Sequence, residues 1–408
     1  MRSDDVKTIV FIGTNKSGSS REAIKAAESL GYFTVLFTNN EKQFLQRKEY
    51  ADVHKMVLVD ITNMNAMRKA ILTLQQTQLT IISIVSFTDP YVHTASLLCD
   101  EFCQNYAQSE AIATMENKEA TRQYLQKFEF TPKFTILQAD NVSELPKMSF
   151  PLIVKSPKST GSKDVLYALN KKQLNQHITA LQEKYPKDTI MIEEYIDGPQ
   201  YLVETIIHNG QPHLIAVIEQ DITQGKRFII TGYTVLAHIP AKMQEDLQNI
   251  VESITTAFQL KNGAMHLELR HTKAGWKLIE INPRISGGAM NHMLQAAFGF
   301  SLVQETLKLL IGEKPNIEPL HHHFVYTKYL VVERKGVLER VTGRNKAKSS
   351  PGVVDVYIKP RRGTVLIPPL SMGHRYAYVI ATGRTKHEAK RNAYSAAKKI
   401  HFHLKSIQ

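Results

Sequence analysis

The sequence predicts a mixed α/β and α+β multidomain protein, and three observations carry that prediction. The N-terminal part repeats a unit of apolar run, amphipathic stretch and apolar run, which is what parallel strands joined by crossover helices produce. After about Thr114 the texture changes to short β-rich runs separated by charged turns. The length of 408 residues fits two to four domains at roughly 100 to 200 residues each. Boundaries are expected at 1–113, 114–198, 199–320 and 321–408.

Within 1–113, Val6 to Gly13 predicts a strand, Ser20 to Gly31 a helix and Phe33 to Thr38 a second strand. The unit recurs as a strand at Lys55 to Val59, a helix at Asn63 to Gln76 and a strand at Ile81 to Phe87. The loop Gly13 to Ser20 has the two glycines of a phosphate loop, but Ser19 stands where the lysine belongs, so it is read as a glycine-bearing turn. Strands follow at Phe134 to Leu137, Leu152 to Ser156, Val165 to Leu169, Ile190 to Tyr195 and Tyr201 to His208, with a helix at Lys171 to Lys184. Asp197-Gly198 and Asn209-Gly210 mark turns. A helix at Ala241 to Phe258, strands at Gly263 to Arg270 and Trp276 to Asn282, and helical segments through Ile311 come next. The final segment opens with a strand at Val325 to Glu333 and closes with a helix from Lys386 to Lys405, with Ala389, Ala393, Ala397 and Ile400 on one face.

Composition narrows the function. With 43% hydrophobic and 22% charged residues, the chain is globular rather than disordered or collagen-like. No apolar run reaches the roughly 18 residues of a spanning helix, and Met1 to Asp5 lacks a signal-peptide core, so a cytoplasmic protein without a membrane partner is expected. Cys99 and Cys103, four apart on a predicted helix, are expected to be reduced thiols. The net charge of +13 lies entirely in residues 331–408, where 17 Lys or Arg face 4 Asp or Glu, while the preceding residues balance 34 against 34. Such a segment suits nucleic acid or the phosphates of a nucleotide.

The most informative motif is His266-Leu-Glu268 followed, after a turn at Thr272 to Gly275, by Glu280-Ile-Asn282-Pro-Arg284. Alternate side chains share a strand face, so a hairpin would bring Glu268, Glu280 and Asn282 together as oxygen ligands suited to Mg²⁺, beside His266 and Arg284. Upstream, Lys155 ends an apolar strand and is followed by a loop with Ser159, Thr160, Gly161 and Ser162, whose amides and hydroxyls suit phosphate. Glu193-Glu194-Tyr195-Ile196 runs into a turn whose backbone can read a purine edge. His321-His322-His323 cannot all face one metal on a strand or helix and is read as an exposed linker.

In this order, Lys118, Lys155 with its loop, Glu193 to Ile196, Glu268 and Glu280-x-Asn282-x-Arg284 resemble the ATP-grasp carboxylate-amine ligases, over essentially the whole chain. The sequence most resembles the bacterial L-amino acid ligases through Asn282-Pro-Arg-Ile-Ser-Gly-Gly288, Ser350-Pro-Gly352, and Gly383 followed by Thr385, Glu388 and Ala389. The resemblance implies an ATP-grasp fold with a Rossmann-like N-terminal domain, a central lid subdomain, an ATP- and Mg²⁺-binding subdomain and a basic C-terminal lid. It implies that Lys118 and Lys155 contact the α and β phosphates, that Glu193 takes the adenine amino group, and that Glu194, Tyr195 and Ile196 line the ring. Glu268, Glu280 and Asn282 would hold two Mg²⁺ ions, with Mn²⁺ as an alternative, and Arg284 and His266 would be catalytic. Gln200 stands where many relatives carry a ribose-binding acid, and Asp164 where a glycine is usual.

The implied reaction joins two amino acids through an acylphosphate with ATP as the energy source. Gly287 and Gly288 could bind the acceptor carboxylate. Asp89, Pro90 and Tyr91, with Phe87, are expected to wall the pocket, because ligands of open α/β domains lie beyond the strands' carboxyl ends. An apolar first residue such as Met or Leu and a small second residue are expected, with amino acids as partners, no nucleic acid, and a homodimer as the association. A ligase for another carboxylate-amine pair fits the same motifs. A nucleic-acid role for the tail is the competing class, weakened because the tail has no recognisable reading motif.

Overall fold

The computed structural model describes residues 6–103, 107–138, 148–157, 164–223 and 229–407. The N-terminal domain is built from β1 (Val6–Ile12), α1 (Ser19–Ser29), β2 (Phe33–Thr38), α2 (Glu41–Leu45), β3 (Lys55–Leu58), α3 (Met64–Gln75), β4 (Leu79–Val85) and α4 (Val92–Phe102). Its four strands are all parallel in the order β3-β2-β1-β4. Ile9, Val10, Phe11 and Ile12 are all buried, as a strand covered on both faces requires. Asn63 caps α3 by accepting from the Ala66 amide. The last strand ends at Val85 rather than at Phe87. Ser86 Oγ donates to the Ile12 carbonyl at 2.8 Å and accepts from the Thr88 amide at 3.2 Å, so side-chain bonds replace the ladder there.

Two short helices, α5 (Ser109–Glu116) and α6 (Lys118–Leu125), lead into a small antiparallel sheet. It contains β5 (Phe134–Leu137), β6 (Leu152–Lys155), β7 (Val165–Ala168) and, after α7 (Lys171–Lys184), β8 (Ile190–Glu194), in the order β5-β8-β6-β7. Leu174, Ile178 and Leu181 of α7 recur at helical spacing and pack with Leu152, Val154, Ile190 and Ile192 into a separate core. This subdomain therefore has its own apolar centre.

The large sheet starts with β9 (Gln200–His208), β10 (Gln211–Thr223) and β11 (Ile229–Val235), then α8 (Ala241–Ala257), β12 (Gly263–Thr272) and β13 (Gly275–Asn282). Helices α9 (Met290–Phe298) and α10 (Leu302–Leu310) follow. The C-terminal part adds β14 (Phe324–Leu330), β15 (Gly336–Thr342), α11 (Arg344–Lys348), β16 (Val353–Ile358), β17 (Val365–Leu366), β18 (Ala377–Gly383), α12 (Lys386–Ala397) and β19 (His401–Lys405). The sheet order is β13-β12-β9-β10-β11-β14-β18-β16. Three C-terminal strands thus continue one sheet across residue 320, and β17-β15-β19 form a smaller one. Ile9, Ile24 and Leu36 share a core cluster with Leu202, Met290 and Leu307, which joins the N-terminal domain to the large sheet.

The terminal helix is shorter than expected. It ends at Ala397, and His401 to Lys405 pair antiparallel with β15, Thr342 opposite His401 and Val337 opposite Lys405. The period-two alternation of His401-Phe-His-Leu-Lys405 places these residues on a strand, while Ala389 and Ala393 stay buried on the helix as expected. Among the described residues, no helix is long and apolar enough to cross a membrane. Cys99 is buried and Cys103 lies just past the end of α4, both as free thiols.

Candidate active site

The hairpin of β12 and β13 forms as the motif requires, with His266 opposite Asn282 and Glu268 opposite Glu280. Lys118, at the start of α6, pairs with Glu280 at 3.0 Å. Burial raises the pKa of Glu268, and the charge of Glu280 raises it further. The two carboxylates therefore remain short of positive charge even with Lys118 in place, which is the deficit a hard divalent cation would fill. Among the described residues no three His, Cys, Asp or Glu side chains cluster for a metal. The oxygen set is two carboxylates and the Asn282 carboxamide, which fits Mg²⁺ completed by phosphate and water.

Lys155 is almost fully buried at the end of β6 because it has a protein partner. Its ammonium lies 2.5 Å from Glu193, and Arg122 of α6 meets the same carboxylate at 2.7 Å. Burial depresses the Lys155 pKa although Glu193 opposes that shift. For Glu193 burial works the other way, and Arg122 and Lys155 outweigh it to hold the carboxyl below its ordinary range. Arg122 also donates to the Ile279 carbonyl at 2.6 Å, tying the small sheet to β13. Arg122 was missed by the sequence reading, since an arginine in an amphipathic helix carries no motif.

Past Glu194, the Ile196 carbonyl accepts from Arg270 at 2.6 Å, and Arg270 also donates to Gln200 at 3.1 Å. Gln200 in turn donates to Glu268 at 2.9 Å, so through Arg270 it links the Ile196 turn to the oxygen set. Tyr195 stacks edge-on against Tyr167. Asp164 adopts φ +55°, the backbone that a glycine there would favour, and is pinned by Lys184 at 2.6 Å and Tyr185 at 2.7 Å. Ser159, Thr160, Gly161 and Ser162 lie outside the described residues.

His266 is buried and makes a 2.6 Å contact with Glu204 of β9, directly opposite in register. Glu204 is fully buried and its second oxygen accepts from the Ser286 amide at 3.2 Å. Burial alone would lower the His266 pKa, but Glu204 overrides it and raises it. Glu204 too was missed: a lone carboxylate in the apolar run Tyr201 to His208 was visible, but only the β9–β12 register gives it a partner.

Arg284 lies just past β13 and forms an ion pair with Asp89, and its other arm donates to the Ile285 carbonyl at 2.8 Å. It borders an apolar cavity between the N-terminal domain and the large sheet, lined in part by Phe87, Val92, Met115, Met265 and Ile285. Glu116 is nearby in charge: burial pushes it up to about 7, with Asp89 raising and Arg284 lowering its pKa. Of the expected wall, Phe87 lines this cavity, Pro90 is exposed in a 3-10 turn, and Tyr91 packs instead with the N-terminal core beneath Gly13. Gly288 has φ +67° and backs onto Gly18, whereas a Cβ on Gly287 would meet nothing within 4 Å. Neither dihedral nor packing demands glycine at 287. The His321–His323 run is mostly exposed, with the His321 and His323 rings stacked at 4.2 Å.

Residues 148–292 match the ATP-grasp domain, and residues 328–405 match the L-amino acid ligase C-terminal domain 2. The chain thus carries an ATP-grasp domain and is an ATP-dependent carboxylate-amine ligase, and that fold implies use of ATP and Mg²⁺. Within the superfamily it closely resembles bacterial L-amino acid ligase. An L-arginine-specific L-amino acid ligase of Bacillus subtilis is 24% identical over 325 residues, covering 77% of this chain and 78% of that protein. An uncharacterized protein, y4rH, of Sinorhizobium fredii is 23% identical over 396 residues, covering 95% and 81%. The crystal structure of an L-amino acid ligase from Bacillus licheniformis superposes with TM-score 0.81 at 20% identity, covering 99% of this chain and 100% of that one. A phosphoribosylglycinamide synthetase from Anaerococcus prevotii superposes with TM-score 0.77 at 15% identity, covering 98% and 100%. These two likenesses establish the fold.

Proposed function

We propose that the chain joins two unprotected L-amino acids into a dipeptide, forming ADP and phosphate through an acylphosphate. The observation that carries the reading is the β12–β13 hairpin, which sets Glu268, Glu280 and Asn282 beside Lys118 while Arg284 borders an apolar cavity. Lys118, Lys155 and the loop after it bind the ATP phosphates, and the Glu193–Ile196 hinge and Gln200 hold the nucleoside. Glu193, with a cation on each oxygen, positions Lys155 and accepts from the adenine amino group through its remaining lone pairs. Two Mg²⁺ ions on Glu268, Glu280 and Asn282 would supply charge neutralisation at the phosphates.

Arg284 orients the first amino acid's carboxylate for attack on the γ-phosphorus. The second amino acid's amine then attacks the acyl carbonyl, phosphate leaves, and protonated His266 with Arg284 stabilises the tetrahedral oxyanion. The cavity beside Arg284 supports a medium-sized apolar first side chain such as Met or Leu. Asp89, which would otherwise favour a cationic one, is held by Arg284. A small second residue is proposed, with its carboxylate at Gly287–Gly288 and its size limited by the loop of Asp89, Pro90 and Tyr91. Pro90→Gly and Pro90→Phe test it: unchanged acceptor size preference in both removes the loop from the wall.

The route itself is tested with a first amino acid labelled with ¹⁸O in its carboxylate. An acylphosphate transfers one labelled oxygen to the released phosphate. Unlabelled phosphate alongside dipeptide contradicts it.

A further inference from the structure

The excess positive charge of residues 331–408 does not gather in one place. Lys386 pairs with Glu219, and Lys390 with Asp221 at 2.5 Å, so part of it is neutralised by two carboxylates of β10. A second part surrounds a concavity on the far end of the small β17-β15-β19 sheet, built only from residues 341–401. Arg344 and Lys346 of α11 stand on one side, Lys398, Lys399 and His401 on the other, with Thr342 beside them. No acidic residue lines it. Among the described residues, the ion pairs formed by the C-terminal segment involve none of these four Lys and Arg side chains.

The fold holds these groups together against their repulsion. Gly343, at φ +85°, precedes α11, and a Cβ there would fall 1.7 Å from the Lys399 carbonyl oxygen. The turn bearing Arg344 and Lys346 is therefore pressed against the turn bearing Lys398 and Lys399. Lys399 is further fixed by donating to Ser350 Oγ at 2.7 Å. Like charges fixed in a concave site focus a positive potential, and a compact multivalent anion relieves it with charge-assisted hydrogen bonds. The nucleotide site, by contrast, is made from α6, β6, β8, β12 and β13.

We propose that this concavity is a second anion site that binds a short phosphate chain, either free polyphosphate or the phosphates of a nucleotide. Acetic anhydride footprinting of the full chain, read by peptide mass spectrometry, tests it with tripolyphosphate as the probe. Tripolyphosphate should protect Lys346, Lys398 and Lys399 severalfold while Lys348 and Lys405 stay unprotected. In Lys346→Gln/Lys398→Gln the affinity for this site should weaken about tenfold or more, seen as lost protection of Lys399. Protection by ATP equal to that by tripolyphosphate identifies the phosphate chain as the ligand, and protection by tripolyphosphate alone identifies free polyphosphate. Uniform protection across the surface lysines, protection by ATP but not tripolyphosphate, or protection only by a single-stranded oligonucleotide would each overturn the proposal.

Discussion

Arg284 and Asp89, 195 residues apart in sequence, form an ion pair that joins the strand-end motif of the large sheet to the fourth strand-end loop of the N-terminal domain. The pair puts the proposed carboxylate-orienting guanidinium under the control of another domain. Asp89 is largely exposed, so solvent weakens the pair and a substrate carboxylate can compete for Arg284.

Arg284→Ala should therefore retain ATP binding and lose roughly 10² to 10³ in turnover, the usual effect of deleting one such donor. Asp89→Asn should change the KM for the first amino acid by a few-fold and leave nucleotide affinity alone. Steady-state kinetics with a binding titration of ADP separates these. Wild-type turnover in Arg284→Ala removes Arg284 from the mechanism.

Gly287→Leu should fold normally, because a side chain at 287 meets open space and the backbone angle is ordinary. It should nevertheless raise the KM for the second amino acid, since that open space is where its carboxylate is proposed to bind. Circular dichroism and acceptor titrations check the two halves. A folded variant with wild-type acceptor KM would show that glycine at 287 serves no ligand.

Much of this site was legible in sequence because it rides on local pattern. His266, Glu268, Glu280 and Asn282 alternate along two strands joined by a short turn, so period two and one hairpin suffice to bring them together. The N-terminal strands were equally plain, being continuous apolar runs. Glu204, Arg122 and the Asp89–Arg284 pair were not, because each depends on a partner 62 to 195 residues away that only sheet order and domain packing supply. The end of α12 was misjudged because Ile400 continues the apolar helical face, although it packs with Ala396 and Ala397 from beyond the helix end. Tyr91 shows that apolar bulk at a strand end also serves the domain's own core.

Glu204→Gln should destabilise the fold by about 3 to 5 kcal/mol, the range for breaking a buried pair. The raised His266 pKa gives stability that is complete below its unfolded value near 6.5 and is lost as pH rises through the higher folded value. The lowered Glu204 pKa gives stability above its unfolded value, lost as pH falls. In the variant, burial acts on His266 with only the charge of Glu268 left to oppose it, and the alkaline limb of the rate profile should move to lower pH. Denaturant melts and pH–rate profiles measure both, and an unmoved alkaline limb would exclude protonated His266 from the oxyanion step.

His292 of α9 bridges Glu22 of α1 at 2.5 Å and Asp355 of β16 at 3.2 Å, with Tyr378 of β18 also donating to Asp355. These hydrogen bonds lift its pKa to about 10. The stability it gives is complete below the unfolded value near 6.5 and is lost progressively as pH rises from there through about 10. His292→Gln should lower the melting temperature at pH 7 and abolish part of the wild-type loss between pH 8 and pH 10. Thermal melts across that range would show no difference in slope if the bridge contributes nothing.

The proposed substrates are two free amino acids, and not some other carboxylate-amine pair. The most direct measurement is phosphate release from ATP and Mg²⁺ over a matrix of paired unprotected L-amino acids, with products identified by mass spectrometry. Release above background is expected only with particular pairs, one apolar and one small, with a dipeptide formed in equal amount. Phosphate release that is indifferent to the second amino acid, or no release with any pair while another amine or carboxylate supports it, would contradict dipeptide synthesis.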